Sequence, residues 1–190
     1  ARVYERGGLA GTGLVVGLKG AVGFGQVYDT TGLGLIGELE LGWVTPYRPI
    51  QIFFTGSYVN TTRDETVGAD ARLPGELKYE LAQQQLVLTL GALYRIPLSS
   101  DLIRPYVGLG GRAYLTSTEI DGSAGGEAFG TYTEEGTNWG FYGSLGADFF
   151  VGPGSILFEV QTGYAPVDRF VLQDTSTGML NVAIGYRIFL

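Results

Sequence analysis

The stretch Leu33-Gly-Leu-Ile-Gly-Glu-Leu-Glu-Leu-Gly-Trp43 puts Leu33, Leu35, Leu39, Leu41 and Trp43 on one parity and Glu38 and Glu40 on the other, with Gly34 and Gly42. A period of two residues is that of a β-strand with two unlike faces. Such a strand has two homes. In a soluble sheet the leucines face a core and the glutamates face water. In a membrane barrel the leucines face lipid and the glutamates point inward. The direction of Glu38 and Glu40 therefore decides what kind of protein this is.

The pattern recurs along the chain. Leu14, Val16, Leu18, Val22 and Phe24 oppose Gly17, Lys19 and Gly23; Ile50, Ile52, Phe54 and Tyr58 oppose Gln51, Thr55 and Ser57. Leu86, Leu88, Leu90, Ala92 and Tyr94 oppose Gln85, Thr89, Gly91 and Arg95; Pro105, Val107, Leu109, Ala113 and Leu115 oppose Tyr106, Gly108, Gly110, Arg112 and Tyr114. Trp139, Phe141, Leu145, Ala147 and Phe149 oppose Tyr142, Ser144, Gly146 and Asp148. Ile156, Phe158, Val160, Thr162 and Tyr164 oppose Glu159, Gln161 and Gly163, and Leu180, Val182, Ile184, Tyr186, Ile188 and Leu190 oppose Asn181, Ala183, Gly185 and Arg187. With the opening stretch this predicts eight strands, the even number of single-chain bacterial barrels. Connections at 46–49, 97–103 and 152–155 are short, and polar loops near 60–76, 116–137 and 166–177 are long; the connection at 28–32 is brief. Short turns on one rim and long loops on the other is the outer-membrane arrangement. Residues 1–12 read as an N-terminal tether and 13–190 as one transmembrane β-barrel domain. The polar start Ala1–Arg6 has no signal-peptide character, as expected of a mature or trimmed chain.

Composition points the same way. The 190 residues include 32 glycines and 13% aromatics, but only 16% charged residues and no run apolar enough for a transmembrane helix. There is no Cys, so no disulfide or thiol chemistry is available, and no His, the commonest general base and metal ligand. The net charge of −7 argues against a nucleic-acid partner, which needs a basic face.

The charges on the polar parity are Lys19, Glu38, Glu40, Arg95, Arg112, Asp148, Glu159 and Arg187, four of each sign. A solvent-facing surface has no need of balance, whereas buried charges must be paired. The other residues of that parity are mostly Gly, Ala, Ser, Thr, Gln and Tyr, which suits a narrow barrel where glycines make room for a few large side chains. Glu38 and Glu40 are therefore expected to face a polar lumen and to pair with Lys19, Arg95 or Arg112. The alternative, a soluble barrel or sandwich with the same strands inside out, fits poorly with large apolar side chains on every strand. A symmetric turn over Gly152–Ser155 would set Asp148 opposite Glu159, with Arg187 near the same depth, and Lys19 would fall opposite or diagonal to Glu40. Aromatic residues should mark the two membrane interfaces: Trp43, Tyr94, Phe149 and Tyr186 at the short-turn rim, Trp139 and Tyr164 at the other.

Residues 13–190 resemble the small eight-stranded outer-membrane barrels, the OmpA membrane domain and the OmpX/Ail group. Arg104-Pro-Tyr-Val-Gly-Leu-Gly-Gly111 is similar to a strand of OmpA-like barrels, and Ala183-Ile-Gly-Tyr-Arg-Ile-Phe-Leu190 resembles the C-terminal strand read by the barrel-assembly machinery, through Gly185, Ile188 and Leu190. The resemblance implies the outer membrane of a Gram-negative-type bacterium. It also implies contact with outer-membrane lipids and lipopolysaccharide and with the assembly machinery, and a lumen plugged by charged residues.

Three roles follow: a structural or surface-display barrel with an extracellular or periplasmic protein partner the sequence does not name, a narrow pore for ions or small solutes, and a module for a lipid-like ligand. No cofactor, metal or enzyme activity is expected. Ser-His and Asp-His mechanisms are closed without His, and Asp148 with Glu159 reads as structural pairing in a space too narrow for substrate. The loop 116–137 carries Glu119, Asp121, Glu127, Glu134 and Glu135 and no basic residue; it reads as a solvated loop, with cation or partner contact as the sharper alternative.

Overall fold

A computed structural model describes residues 13–25, 34–46, 49–67, 77–98, 102–124, 126–128, 130–166 and 179–190. The strands are β1 (Gly13–Gly25), β2 (Gly34–Val44), β3 (Ile50–Val67), β4 (Leu77–Arg95), β5 (Ile103–Ala124), β6 (Glu127–Ala128), β7 (Tyr132–Val151), β8 (Gly154–Tyr164) and β9 (Met179–Phe189). The two-residue β6 pairs with the end of β5 and takes no part in the wall. The other eight strands pair antiparallel with their chain neighbours, and β9 pairs with β1 from Val15↔Phe189 to Gly25↔Met179. The sheet thus closes on itself and leaves no edge along the shared height of the strands.

Period two decides which residues face out. On β2 every odd position from Leu35 to Trp43 is exposed and every even position is buried. The exposed set around the wall is a continuous apolar belt that includes Leu18, Leu39, Phe54, Leu90, Leu109, Phe141, Val160 and Ile184. Water would penalise such a surface heavily, and hydrocarbon would not. Along β3 the belt runs from Ile50 to Tyr58, about the nine residues that a tilted strand needs to cross a bilayer.

The wall does not stop at the belt. β3, β4, β5 and β7 have 18, 19, 22 and 20 residues, against 11 for β2, β8 and β9. Residues 60–67, 77–84, 116–124 and 132–138 therefore extend the wall as paired strands where polar loops were expected over 60–76 and 116–137. Beyond Tyr58, Leu86, Leu115 and Trp139 the outward positions turn mainly polar, Ala82 excepted: Asn60 and Thr62, Gln84 and Glu80, Ser117 and Glu119, Thr137 and Glu135. The hydrophobic alternation ends where lipid would end, but the backbone ladder continues. The tether 1–12, the connection at 28–32 and the loop at 167–177 lie outside the described residues.

The β7–β8 turn is tighter than a symmetric Gly152–Ser155 turn. Val151 pairs with Gly154, leaving Gly152 and Pro153 as the two turn residues, with Gly152 at φ 62°. Glycine first with positive φ, followed by a residue that cannot take positive φ, is the type II′ solution for a two-residue hairpin. The register consequently differs by two from the expected one: Asp148 lies opposite Leu157, and Glu159 lies opposite Gly146.

Three buried apolar clusters occupy the interior. Val15, Val44, Phe150 and Phe189 close the short-turn end; Phe53, Leu93, Tyr106 and Tyr142 pack partway up; Ala21, Ile36, Val59, Val87, Tyr114, Ala165, Met179 and Ala183 form a layer toward the long-strand end. The inward parity is thus less uniformly polar than the sequence reading had it.

Candidate functional site

The eight charges that the sequence places on the inward parity, Lys19, Glu38, Glu40, Arg95, Arg112, Asp148, Glu159 and Arg187, are all buried in this interior. The first centre is Lys19. Its Nζ lies 2.7 Å from Glu38 Oε1, 2.9 Å from Glu40 Oε2 and 3.0 Å from Glu159 Oε1. Lys19 sits opposite Glu38 in the β1–β2 register, so Glu40 is its diagonal neighbour. Room for the ammonium stem comes from Gly185 on β9: a Cβ there would strike the Leu18 carbonyl and come 2.8 Å from Lys19 Cγ.

The second centre is Arg187. Its Nε and Nη2 donate to the two oxygens of Glu40, each at 2.9 Å, and its Nη1 donates to Asp148 Oδ1 at 2.9 Å. Glu159 Oε2 is 3.6 Å from Nη2. The guanidinium lies over the Tyr106 ring, 4.8 Å from its centroid. Gly17 opens the space for this pair, since a Cβ there would come within 3.2 Å of both Arg187 Cγ and Glu40 Cβ. Arg95 completes the chain of charges by donating from Nε to Asp148 Oδ2 at 3.0 Å and from Nη2 to Gln51 Oε1 at 2.7 Å.

Neutral groups supply further hydrogen bonds to the carboxylates, as low-dielectric burial favours. Gln51 donates to Glu40 at 2.9 Å, Ser155 to Asp148 at 3.0 Å, Ser57 to Glu38 at 3.1 Å and Tyr142 to Glu159 at 3.3 Å. Gln161 donates to Glu159 at 2.6 Å and to Glu38 Oε1 at 3.3 Å.

Arg112 stands apart. The sequence reading offered it as a partner of Glu38 and Glu40, but among the described residues it forms no ion pair. It donates to Thr89 Oγ1 at 2.9 Å and to Gln161 Oε1 at 3.4 Å, and it stacks 4.4 Å from the Tyr142 ring centroid. Its height on β5 sets it above the carboxylates, so the Gln161 amide connects the two. Arg95 likewise goes to Asp148 and not to the glutamates, while Arg187, which the reading did not offer as their partner, takes Glu40. Asp148 and Glu159 do not face each other: Asp148 pairs with Arg95 and Arg187, and Glu159 with Lys19 and, at 3.6 Å, Arg187.

Sequence reasoning passed over Gln51, Ser155, Gln161 and the ring donor Tyr142 as members of this network, although their inward parity was the available signal. It also passed over Arg104, which lies on the inward parity near the start of β5 with its guanidinium 5.7 Å from the Phe150 ring centroid. Among the described residues no group of acidic side chains is placed to hold a metal ion.

The six aromatic markers all face outward or sit half-buried on the outward parity. Trp43, Tyr94, Phe149 and Tyr186 lie at the end of the wall that carries the short turns. Trp139 and Tyr164 lie at the opposite end of the belt. Ile188 of the final strand and Leu190 just after it are exposed, whereas Gly185 is the position that admits Lys19.

No family model matches the sequence, and no curated protein matches it significantly. Solved structures do match. A major outer membrane protein from Thermus thermophilus aligns over 94% of this chain and 99% of that one, with a TM-score of 0.61 at 13% identity. The outer membrane protein OprG from Pseudomonas aeruginosa aligns over 95% and 96%, with a TM-score of 0.53 at 15% identity. Neisserial surface protein A aligns over 93% and 96%, with a TM-score of 0.51 at 13% identity. Closed antiparallel topology, an outward apolar belt and this set of neighbours agree: the chain has the fold of the small eight-stranded outer-membrane β-barrels.

Proposed function

We propose that the chain is a non-catalytic anchor in the outer membrane of a Gram-negative-type bacterium, a barrel with a closed lumen that carries its long-strand rim and loops at the cell surface. The observation that supports this most is the unbroken line of charge contacts across the interior, from Glu38 through Lys19, Glu40, Arg187 and Asp148 to Arg95. Residues from β1, β2, β4, β7 and β9 meet in that line, and apolar layers flank it at both ends. Ions would have to separate these pairs to pass, and an eight-stranded barrel has little width beyond its own side chains. Acid–base chemistry is disfavoured because both Asp148 and Glu159 are held by cations at or near hydrogen-bond distance. The exposed Ile188 and Leu190 suit recognition of the last strand by the barrel-assembly machinery. Lipids of the outer membrane are the partner that the apolar belt requires.

Conductance across planar bilayers tests the closed lumen. The refolded barrel is expected to give no steady single-channel current. A stable current that survives dilution of detergent overturns the reading in favour of a narrow pore.

A further inference from the structure

We propose that the groove where the apolar belt meets the polar extension of β3–β4–β5–β7 seats an outer-leaflet glycolipid with an uncharged sugar headgroup. This rests on the membrane reading above and adds a ligand class to it. The groove has a volume of about 500 Å³. Its lower wall is Tyr58, Leu86 and Leu115, the last outward residues of the belt on their strands; its upper wall is Gln84, Ser117 and Glu135. An amphiphile at this height has acyl carbons against the leucines and its head against an amide, a hydroxyl and a carboxylate. The half-exposed Tyr58 ring offers an apolar face beside a polar tip, the combination suited to such a boundary.

Charge selects the head. Above the groove the same outward face carries Glu80 directly opposite Asp121, with Glu119 on the adjacent pair, and in the upper wall itself Glu135 lies opposite Ser117. Like charges across a strand pair repel each other, and they repel an approaching phosphate as well. Among the described residues the only basic residue on the outward parity is Lys78, six positions along β4 from Gln84, about 20 Å away. Among the described residues a phosphate-bearing head therefore meets a repulsive field with no cation at the groove. Sugar hydroxyls donate to Glu135 and to the Gln84 oxygen, and accept from the Gln84 amide and from Ser117.

Trp139 reports on this site, because it lies on the outward face of β7 two positions from Thr137, which lines the groove. Trp43 lies at the opposite rim and serves as the control. The full chain, as Trp43→Phe or Trp139→Phe, is refolded into phosphatidylcholine vesicles. These contain equal fractions of either digalactosyl diacylglycerol or phosphatidylglycerol, brominated high on the acyl chain. Trp139 quenching by the galactolipid is expected to exceed that by phosphatidylglycerol about threefold, the ratio that one net hydrogen bond supplies. Trp43 should show no preference, and Glu135→Lys in the Trp43→Phe chain should reverse the preference at Trp139. Quenching of both tryptophans without headgroup preference, or a preference for phosphatidylglycerol in the unaltered groove, overturns this inference alone. Absence of quenching by either lipid overturns the membrane reading and this inference with it.

Discussion

Arg187 holds Glu40 by a two-point fork, Nε to Oε1 and Nη2 to Oε2, both at 2.9 Å. The remaining guanidinium nitrogen reaches Asp148, so one side chain on β9 ties β2 to β7 across the lumen. The planar fork is what arginine offers and lysine does not. Arg187→Met strands two buried carboxylates beside their remaining partners and is expected to cost roughly 3–5 kcal/mol. Arg187→Lys keeps the charge but loses paired donors, for a cost of about 1.5–3 kcal/mol. Urea unfolding in lipid vesicles measures both, and equal stability of Arg187→Lys and the parent chain would remove the fork from the account.

Lys19 and Arg112 are equally buried cations with unequal surroundings. Lys19 meets three carboxylates, and Arg112 meets none among the described residues. Lys19→Met leaves Glu38 and Glu159 short of charge compensation and is expected to cost roughly 3–5 kcal/mol. Arg112→Met loses its hydrogen bonds to Thr89, Gln161 and the Met179 sulfur and its contacts with the Tyr114 and Tyr142 rings, for about 1–3 kcal/mol. The same unfolding assay ranks them, and a larger loss for Arg112→Met contradicts the assigned network.

Glycines on the two faces should respond differently to an added methyl group. A Cβ on Gly146 would come 2.5 Å from the Tyr106 ring and 2.6 Å from the Phe158 carbonyl oxygen, while a Cβ on Gly20 or Gly37 meets nothing within 4 Å. Gly146→Ala is expected to destabilise by about 1–3 kcal/mol through overpacking. Gly20→Ala and Gly37→Ala should change stability little. The mobility of unboiled samples on gels over a temperature series compares the three directly.

Period two made the face of each strand legible in the sequence, and with it the lumen placement of Lys19, Glu38, Glu40, Arg95, Arg112, Asp148, Glu159 and Arg187. Height was not legible. Two turn residues at Gly152–Pro153, where four were expected, move Asp148 away from Glu159 and toward Arg187. Parity also says nothing about apolar residues that face inward. Val15, Val44, Phe150 and Phe189 close the short-turn end because the lumen accepts apolar side chains as readily as lipid does. The extension of β3, β4, β5 and β7 was hidden because hydropathy reports the surrounding solvent, and those residues leave the apolar belt while still pairing. Gly185 served in the reading as part of an end-strand signal. The structure gives it a second and local reason, the passage of the Lys19 stem.

The belt and the extension should tolerate charge very differently. Leu39 is exposed at the middle of β2, and Leu39→Arg is expected to cost roughly 2–4 kcal/mol for placing a cation near mid-membrane. Thr62 is also exposed but lies beyond Tyr58 on β3, outside the belt, and Thr62→Arg should cost close to nothing. Refolding yield and unfolding midpoint in vesicles separate these outcomes. Similar losses at both sites would mean that the belt does not mark the bilayer.

Cysteine labelling in membranes tests directly whether polar parity faces the lumen and apolar parity faces lipid. The chain has no Cys, so each introduced thiol is the only one. Leu39 is 53% exposed, and Ser57, opposite Glu38 on β3, is 4% exposed. Ser57→Cys is close to isosteric, which keeps the lumen packing intact. With a lipid-soluble maleimide, Leu39→Cys is expected to label readily and Ser57→Cys to resist until the barrel is unfolded. Rapid labelling of Ser57→Cys alongside a protected Leu39→Cys would show the wall to be inside out and would contradict the account.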